Sequence, residues 1–355
     1  MSDQSDGTQA IRPGEEVNVQ ALESYLRSRL PESPGSLAVE QFPHGHSNLT
    51  YLLRWGPNEW VMRRPPFGNP VKTAHDMGRE FKILSKLWSI YPPAPRPLLY
   101  CEDPSVLGAP FYVMERRRGI VFRRNLPPGR VPDAQTVRRL CLALIDNFAL
   151  LHSLDYRAAG LEDLGRPEGF VERQVTGWIK RYRDAQTENV PDMEQLIDWL
   201  PANKPRRSEA AIIHNDYKFD NVMFNPNEPS RIVAVLDWEM ATLGDPLMDL
   251  GTTLGYWIEP GDPPAYQYTA VGPTNVPGSL SRQEVIDRYA AQSGRAMTDM
   301  LFYQSFGLFK IGVIIQQIYA RYVRGSTTDQ RFARLNENVA VVSRQAIRYI
   351  DGSKT

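Results

Sequence analysis

The chain has 355 residues with 41 basic and 41 acidic side chains, so its formal net charge is zero. This balance argues against nucleic acid or an anionic membrane as a main partner. Two cysteines without a CxxC pair or a His/Cys cluster argue against a zinc site or a disulfide framework, and we expect a cytoplasmic protein. The length is sufficient for two lobes, each with its own core.

The first part of the chain predicts a strand-rich lobe. Residues 1–16 are polar, lack the features of a signal peptide, and are expected to form a disordered tail. Hydrophobic periodicity then predicts the following elements in chain order: a helix at 17–30, strands at 37–42, 49–55 and 60–64, a helix at 76–89, and strands at 98–102 and 111–115. Residues 17–115 are therefore predicted to form an N-terminal lobe of about five strands with one crossing helix.

The rest of the chain, residues 116–355, has a mostly helical pattern. Apolar side chains recur at helical spacing in these segments: 135–153, 168–185, 191–200, 281–293, 298–322 and 327–350. The most apolar stretch, 301–320, carries a lysine and three glutamines, which favours a buried helix over a membrane span. Residues 260–279 are rich in proline and glycine and are predicted to be a long irregular loop, either a functional lid or a plain insertion.

Three polar side chains have the order and spacing of a phosphoryl-transfer site. Asp216 and Asn221 lie five residues apart, and Asp237 follows sixteen residues later, after the apolar run 232–236. A kinase needs a carboxylate to accept a hydroxyl proton, and oxygen ligands that hold Mg²⁺ on the nucleotide phosphates. Each residue alone could be an ordinary turn former or strand end. As an ordered set with a hairpin-like pattern between them, they favour a catalytic site.

These residues also carry a family resemblance. His214-x-Asp216-x-x-x-x-Asn221, followed by Leu236-Asp237-Trp238-Glu239, resembles the aminoglycoside phosphotransferase family, a branch of the protein-kinase-like fold. The resemblance implies an α+β fold with two lobes, a small five-stranded antiparallel N-lobe with one crossing helix and a larger, mostly helical C-lobe. It implies ATP and Mg²⁺ as cofactors, with Asp216 as the catalytic aspartate and Asn221 and Asp237 as metal ligands.

The resemblance extends to the segment 244–250. There it implies that Asp249 hydrogen-bonds the backbone of the catalytic loop, and that His214 is a scaffold residue rather than an acid or base. Lys218 lies two residues after Asp216 and matches a lysine that contacts the transferred phosphate in many protein kinases. A solvated loop lysine is an equal alternative for Lys218.

Two front segments resemble the nucleotide-binding parts of the family. Gly45, Ser47 and Asn48 fall between two predicted strands and resemble the loop that covers the phosphates, although an ordinary hairpin turn fits them equally well. Met114 and Glu115 end the last predicted strand and resemble the hinge whose backbone binds adenine. We expect nucleotide to bind between the two lobes, because clefts between domains are favoured ligand sites.

One front residue departs from the family pattern. Glu80 matches a glutamate that normally pairs with a strand lysine, but Arg63 occupies the position of that lysine. Arginine keeps the positive charge and can bind phosphate or Glu80 through two parallel hydrogen bonds. Its larger planar head changes the geometry, so a nucleotide-binding pseudokinase remains an alternative to an active enzyme.

The charge pattern bears on the acceptor, which we expect to be a small molecule with an alcohol group. Aminoglycosides are polycations, yet residues 116–130 contain six arginines and no acid, and Lys180, Arg181 and Arg183 add further positive charge. An anionic acceptor such as a hydroxy acid, a sugar acid or a CoA thioester fits better, although a solvated basic surface is the simpler explanation of any single arginine. The sequences of residues 61–66 and 237–242 are similar to those of kinase domains fused to acyl-CoA dehydrogenases. This resemblance implies a hydroxyacyl acceptor.

A protein kinase is the other alternative. Against it, the sequence has no Ala-Pro-Glu element after Asp237, and Gly244-Asp245-Pro246 follows almost at once. The sequence leaves open the choice between ATP and GTP, the identity of the acceptor and the oligomeric state.

Overall fold

The computed structural model describes residues 7–31, 33–43, 48–67, 76–123, 132–327 and 329–352. These residues contain the following α-helices: α1 (Val19–Arg27), α2 (Met77–Leu87), α3 (Pro104–Leu107), α4 (Ala134–Ser153), α5 (Phe170–Ala185), α6 (Pro191–Ala202), α7 (Pro246–Gly255), α8 (Pro264–Gln267), α9 (Arg282–Ser293), α10 (Met300–Val323) and α11 (Leu335–Gly352). They contain the following strands: β1 (Ala38–Gln41), β2 (Leu49–Trp55), β3 (Asn58–Arg64), β4 (Pro97–Cys101), β5 (Phe111–Glu115), β6 (Ile120–Val121), β7 (Ala211–Ile213), β8 (Val222–Phe224), β9 (Ile232–Val235) and β10 (Thr242–Gly244).

The contacts divide the chain into two compact units. The first unit comprises Met1–Val121, Ala158–Leu161 and Val222–Ala241. The second unit comprises Phe122–Arg157, Glu162–Asn221 and Thr242–Thr355. The first unit thus includes Val222–Ala241, which directly follow Asn221 of the second unit in sequence. The two units are therefore not separated by a single boundary along the chain. The domain boundaries expected from the sequence remain a prediction.

The first unit is built on a five-stranded antiparallel sheet in the order β1-β2-β3-β5-β4. Alternate side chains of β2, including Tyr51, Leu53 and Trp55, enter one buried cluster with Leu22 and Leu26 of α1, as the two-residue period of a strand requires. The five strands and the helix between the third and fourth agree with the sequence prediction. The described part of the predicted tail begins at residue 7, and Gln9 pairs with Gln41 through two backbone hydrogen bonds.

Helix α2 carries a charged residue on its buried face. Asp76 caps its N-terminus by accepting a hydrogen bond from the Arg79 N–H. The helix buries Met77, Glu80, Ile83, Leu84 and Leu87, the spacing of an apolar face. A glutamate at such a position needs a buried partner.

A smaller sheet in the first unit leads to the second candidate carboxylate. Its strands lie in the order β6-β8-β9, and the antiparallel β8–β9 pair is the hairpin expected after Asn221. Val121, Met223 and Ala234 form its buried apolar cluster. The backbone N–H of Val235 donates to the carbonyl of Pro93. Asp237 follows two residues after the end of β9.

The second unit is mainly helical. Its longest described helix, α10, packs against α5, α6, α7 and α11. Strands β7 and β10 form an antiparallel pair, and β7 directly precedes the segment that contains Asp216. The predicted helix at 327–350 begins only at Leu335, after a short 3-10 turn at Gln330–Phe332. Within the described ranges, no helix combines the length and apolarity needed to cross a membrane.

The proline- and glycine-rich loop at 260–279 belongs to the second unit and packs against its other segments. Its short helix α8 contributes the Tyr266 hydroxyl, which donates to the Gly255 carbonyl at 2.7 Å. Gly272 has a φ of +80°, and a Cβ added there would lie 2.4 Å from the Phe219 Cβ. Phe219 begins the turn that carries Asn221, so this loop packs against that turn.

Replacing Gly272 by alanine should therefore destabilise the protein by more than backbone strain alone. Gly294 also has a positive φ, +68°, but a Cβ there meets nothing within 4 Å. Gly294→Ala is expected to cost about 1–3 kcal/mol of unfolding free energy through strain, and Gly272→Ala about 1–3 kcal/mol more through overpacking. Urea unfolding of both variants measures the difference. Equal losses in the two variants would mean that the Phe219 contact is not constraining.

Candidate active site

A strained turn at the end of β7 presents Asp216. Asn215 adopts a left-handed backbone conformation with a φ of 67°. The Asp249 carboxylate holds this turn, because its Oδ2 accepts from the His214 N–H at 2.7 Å and its Oδ1 from the Asn215 N–H at 2.9 Å. His214 is buried, and its Nδ1 accepts from the Asp216 N–H at 3.3 Å. Asp249 and His214 thus have the scaffold contacts that the family resemblance implies.

The charge of Asp249 is stabilised from the opposite side. His152 Nε2 lies 3.3 Å from Asp249 Oδ2, and His152 Nδ1 lies 2.6 Å from the Tyr289 hydroxyl. Burial alone would raise the pKa of Asp249, but the hydrogen bond from His152 outweighs it and lowers the pKa. Burial also lowers the pKa of His152, so the imidazole acts here as a neutral donor. Asp249 therefore remains an ionised acceptor for the two backbone N–H groups.

Asp216, Lys218 and Asn221 are brought together on this turn. Lys218 Nζ lies 2.6 Å from both carboxylate oxygens of Asp216. The Asn221 amide nitrogen donates to Asp216 Oδ2 at 2.8 Å and to the Asp216 carbonyl at 2.9 Å. The Asp216 side chain is 20% exposed, so the carboxylate is fixed on two sides and still accessible.

Tyr256 is a further neighbour of Lys218 that the sequence analysis missed. The Lys218 Nζ lies 4.8 Å from the centroid of the Tyr256 ring, within the range of a cation–π contact. Burial opposes the charge of Lys218, but Tyr256 and Asp216 outweigh it, so the pKa of Lys218 is raised above its ordinary value. Lys218 therefore carries a positive charge beside the Asp216 carboxylate.

Tyr256 also borders a largely apolar cavity of about 200 Å³ in the second unit. The side chains that line it come from the end of α7, the segment after α8, and α10 and α11; they include Tyr268, Ile311, Ile315 and Val342. No sequence motif indicated this cavity, because its walls come from four distant segments.

In the first unit, Arg63 joins the two carboxylates that flank it. Its Nη1 donates to Glu80 Oε1 at 2.5 Å, and its Nη2 donates to Asp237 Oδ1 at 2.9 Å. The side chains of Arg63 and Glu80 are 9% and 1% exposed, whereas that of Asp237 is 34% exposed. The expected pair between Arg63 and Glu80 is thus present, and the additional contact with Asp237 was not foreseen.

Glu80 and Asp237 are fixed by further contacts. Glu80 Oε1 also accepts from the Trp238 backbone N–H at 3.2 Å. Burial raises the pKa of the Glu80 carboxyl, and the Arg63 guanidinium opposes this shift. Asp237 has a left-handed φ of 65°, a conformation that is costly for a non-glycine residue and frequent at functional sites.

The other predicted nucleotide contacts are described only in part. Gly45 and Ser47 lie outside the described residues. Asn48 is buried, and its amide donates to Glu239 Oε2 at 2.6 Å. Met114 and Glu115 end β5, where the Glu115 N–H already donates to the Arg96 carbonyl at 2.9 Å. A hinge contact from Glu115 would have to use its carbonyl oxygen, and this role remains a prediction.

Most of the basic residues that suggested an anionic acceptor have acidic partners. The pairs are Arg116 and Arg118 with Glu59, Arg117 with Glu115, Lys180 with Asp184, and Arg183 with Glu194. Arg181 differs, because its guanidinium stacks over the Trp178 ring at 4.6 Å and forms no ion pair with a described residue. These five side chains thus have an acidic partner other than an acceptor, and the anionic acceptor remains a prediction.

Removing the guanidinium of Arg63 should expose the cost of burying Glu80. Arg63→Met is expected to lower the unfolding free energy by about 3–5 kcal/mol, because Glu80 loses its buried counterion. Because burial raises the pKa of Glu80, its folded form binds a proton more strongly than its unfolded form, so the deficit should shrink as the pH falls. Chemical unfolding at neutral and acid pH measures both effects.

The exposed pair Arg138–Glu284 supplies a matched control. Arg138→Met should cost at most about 1 kcal/mol, and the double variant Arg63→Met/Glu80→Met should recover part of the loss. A loss in the double variant as large as the sum of the single losses would contradict an interaction between the two side chains.

Comparison with known sequences supports the family resemblance. Residues 38–282 match the phosphotransferase enzyme family. Acyl-CoA dehydrogenase family member 11 of Mus musculus is 36% identical over 336 residues, which cover 93% of this chain and 43% of that protein. Member 10 of the same organism is 34% identical over 339 residues, covering 94% and 31%. The chain thus spans less than half the length of these relatives.

Comparison with solved structures supports the fold. A protein of Ralstonia eutropha JMP134 that carries the name of an aminoglycoside phosphotransferase superposes with a TM-score of 0.79 and 32% identity, over 95% of this chain and 99% of that one. Choline kinase of Cryptosporidium parvum Iowa II superposes with a TM-score of 0.67 over 95% and 97%, and at 12% identity it shows the fold alone. The predicted enzyme class, a phosphotransferase with an alcohol group as acceptor, is confirmed by the family. The chain belongs to the phosphotransferase enzyme family and has the kinase-like α+β fold predicted from its sequence.

Proposed function

We propose that the chain is an ATP- and Mg²⁺-dependent kinase that phosphorylates a hydroxyl group of a small anionic acceptor, a hydroxy acid or a hydroxyacyl-CoA. The observation that carries this proposal is the Asp216 carboxylate, held by Lys218 and Asn221 and still partly exposed. A general base has to combine a fixed orientation with access to the substrate proton. Asp216 meets both requirements.

The residues of this turn divide the work of proton transfer. Asp216 accepts the proton of the acceptor hydroxyl while that oxygen forms a bond to phosphorus and the bond from phosphorus to the leaving ADP oxygen breaks. Lys218 remains protonated and offsets negative charge near the attacking oxygen. When bound, ATP supplies the γ-phosphoryl group and Mg²⁺ neutralises charge on its phosphates.

The donor chemistry of the chain fits Mg²⁺. Asn221 and Asp237 offer an amide and a carboxylate oxygen, the hard ligands that this ion prefers. In the described ranges, no group of three or more His, Cys, Asp or Glu side chains is arranged to hold a metal ion. On the family resemblance and this donor chemistry, we propose that Asn221 and Asp237 act as metal ligands, with phosphate oxygens and water completing the coordination, as is usual for Mg²⁺ in kinases.

The nucleotide-binding residues are proposed on the family resemblance and their contacts. Arg63 carries a guanidinium beside the metal-binding Asp237 and is assigned to the phosphates or to fixing that carboxylate. Gly45, Ser47 and Asn48 are assigned to the phosphate-covering loop. The end of β5, Met114 and Glu115, is assigned to adenine.

Two features support an anionic acceptor with an apolar chain. Lys218 contributes positive charge in the unit that carries Asp216, and so does Arg181, which forms no ion pair with a described residue. The apolar cavity beside Tyr256 measures about 200 Å³, smaller than the roughly 300–1,000 Å³ of a drug-sized ligand pocket, so it suits a short chain rather than a whole ligand. The names of the relatives, acyl-CoA dehydrogenase family members, agree with an acyl acceptor.

A transfer assay with a panel of acceptors tests the proposal. The panel contains short and medium hydroxy acids, their CoA thioesters, sugar acids, choline, kanamycin and a mixture of serine and threonine peptides, each with ATP and Mg²⁺. Phosphate is expected on a hydroxyl of an acidic acyl compound. Phosphorylation of kanamycin or choline would contradict the anionic acceptor, and phosphorylation of peptides alone would support a protein kinase.

Asp216→Asn should remove the base and leave nucleotide binding intact. The expected loss in kcat is about 10²–10⁴-fold, with little change in the affinity for ATP and Mg²⁺ measured by thermal shift. ATP binding without transfer by the wild type, across the whole panel, would favour the pseudokinase alternative.

Asp237→Ala should weaken nucleotide binding in a different way. Because Asp237 is assigned to the metal, the variant is expected to lose the Mg²⁺-dependent part of its ATP affinity. Titrating Mg²⁺ at fixed ATP measures this loss. An unchanged dependence on Mg²⁺ in this variant would show that the metal is bound elsewhere.

A further inference from the structure

Lys310 is a buried lysine in the middle of α10. Its side chain is nearly inaccessible, and its Nζ donates to the Asn215 carbonyl at 2.7 Å and lies 3.5 Å from Asn215 Oδ1. It forms no ion pair with a described residue, and its Nζ lies 5.7 Å from the centroid of the Trp178 ring. Burying an ammonium group is costly unless the group is paired.

The partner of this lysine is the strained residue of the catalytic turn. Asn215 has a φ of 67° and directly precedes Asp216. Its N–H donates to Asp249, and its carbonyl accepts from Lys310. Left-handed backbone at a non-glycine residue costs of order 1–3 kcal/mol and persists only where the surroundings enforce it. Here the polar groups on both sides of Asn215 are held by buried side chains of α7 and α10.

We propose that Lys310 is a positioning residue: its ammonium group clamps the Asn215 carbonyl and thereby fixes the direction in which Asp216 presents its carboxylate. The catalytic part of this inference rests on the proposed role of Asp216 as the base. The structural part, a clamp on the turn, stands without it.

The charge of the clamp depends on its surroundings. The charged groups that act most strongly on Lys310 are Asp249 on α7, Asp216 and Lys218 in the turn, and Arg181 on α5. Burial lowers the pKa of Lys310 to about 8, although Asp249 and Asp216 oppose the shift. Below that pH the bond to Asn215 is charge-assisted, and such bonds are roughly twice as strong as neutral ones.

The effects on activity and stability have opposite signs. As the pH rises through about 8, Lys310 loses its proton and the clamp weakens, so kcat should fall. The unfolded chain keeps this proton to a higher pH, so deprotonation of the folded form contributes a rise in unfolding free energy over the same range. A fall in kcat without a fall in stability therefore separates the clamp from general unfolding.

Three variants test the clamp. Lys310→Met removes the hydrogen-bond donor. Lys310→Arg keeps a positive charge, because arginine stays protonated up to a pH of about 12. Lys180→Met removes an exposed lysine of α5 and serves as a control. Turnover is measured as the formation of ADP from ATP, in the presence of Mg²⁺, between pH ~6.5 and ~9.5. The phosphate acceptor is the compound that the panel identifies or, if none is found, water. Circular dichroism establishes that each variant is folded.

The wild type and Lys180→Met should lose kcat above about pH 8. Lys310→Met should have a kcat about 10–100-fold lower at neutral pH, with little change in KM, and no alkaline decline. Lys310→Arg should have a higher kcat than Lys310→Met at neutral pH, and its kcat should not fall at alkaline pH. A decline shared by all four proteins would overturn the proposal, as would a Lys310→Met variant changed only in the KM of the acceptor.

Hydrogen exchange at one pH, followed by mass spectrometry without acceptor, tests the clamp independently of activity. Lys310→Met should exchange faster in peptides that contain residues 213–218, while Lys180→Met should match the wild type. Unchanged exchange in that segment overturns the clamp. The clamp and the proposed function can also be separated. If Lys310→Met exchanges faster but neither it nor the wild type shows transfer activity, the clamp is supported and the proposed function is rejected.

Discussion

The buried Asp249 carboxylate is the constraint on which the catalytic turn depends. It replaces water for two backbone N–H groups, those of His214 and Asn215, at a point where no strand or helix can accept them. Leaving either group unpaired in the interior would cost about 1–3 kcal/mol. His152 stabilises the negative charge from behind. The turn that carries Asp216, Lys218 and Asn221 is therefore held by the buried carboxylate of Asp249.

The first unit uses a buried ion in a comparable way. Arg63 donates to Glu80 and Asp237 at once, which its forked guanidinium allows and the single ammonium of a lysine would do less directionally. In both units the residue beside the buried charge has left-handed backbone, Asn215 in one and Asp237 in the other. Strain at these two points is offset by charge-assisted hydrogen bonds, so the geometry needed for chemistry is imposed by the surroundings rather than by local preference.

These features explain what the sequence could and could not predict. Helix α4 has a broad apolar face and strand β5 is a short apolar run, and their predicted bounds agree with the structure to within one residue. Helix α7 was not predicted, because it has only ten residues and two of them, Gly251 and Gly255, disfavour a helix. Asp216, Lys218 and Asn221 are close in sequence, so their proximity could be anticipated. The contact of Lys310 with Asn215 spans 95 residues and left no local signal.

The number of basic residues in a segment is a poor guide to its net charge in the folded protein, because folding brings acidic partners to it. Arginines at 116–118 and basic residues on α5 are close to carboxylates that a linear scan does not associate with them, such as Glu59 and Glu194. The charges of such pairs cancel much of each other's field, and an exposed pair such as Arg183–Glu194 contributes little energy. Two cations of the second unit differ from these pairs: Arg181 forms no ion pair with a described residue, and Lys218 lies beside the Asp216 carboxylate. Under the proposed function, selectivity for an anionic acceptor arises from these two side chains, and the neutral total charge of the chain carries no information about it.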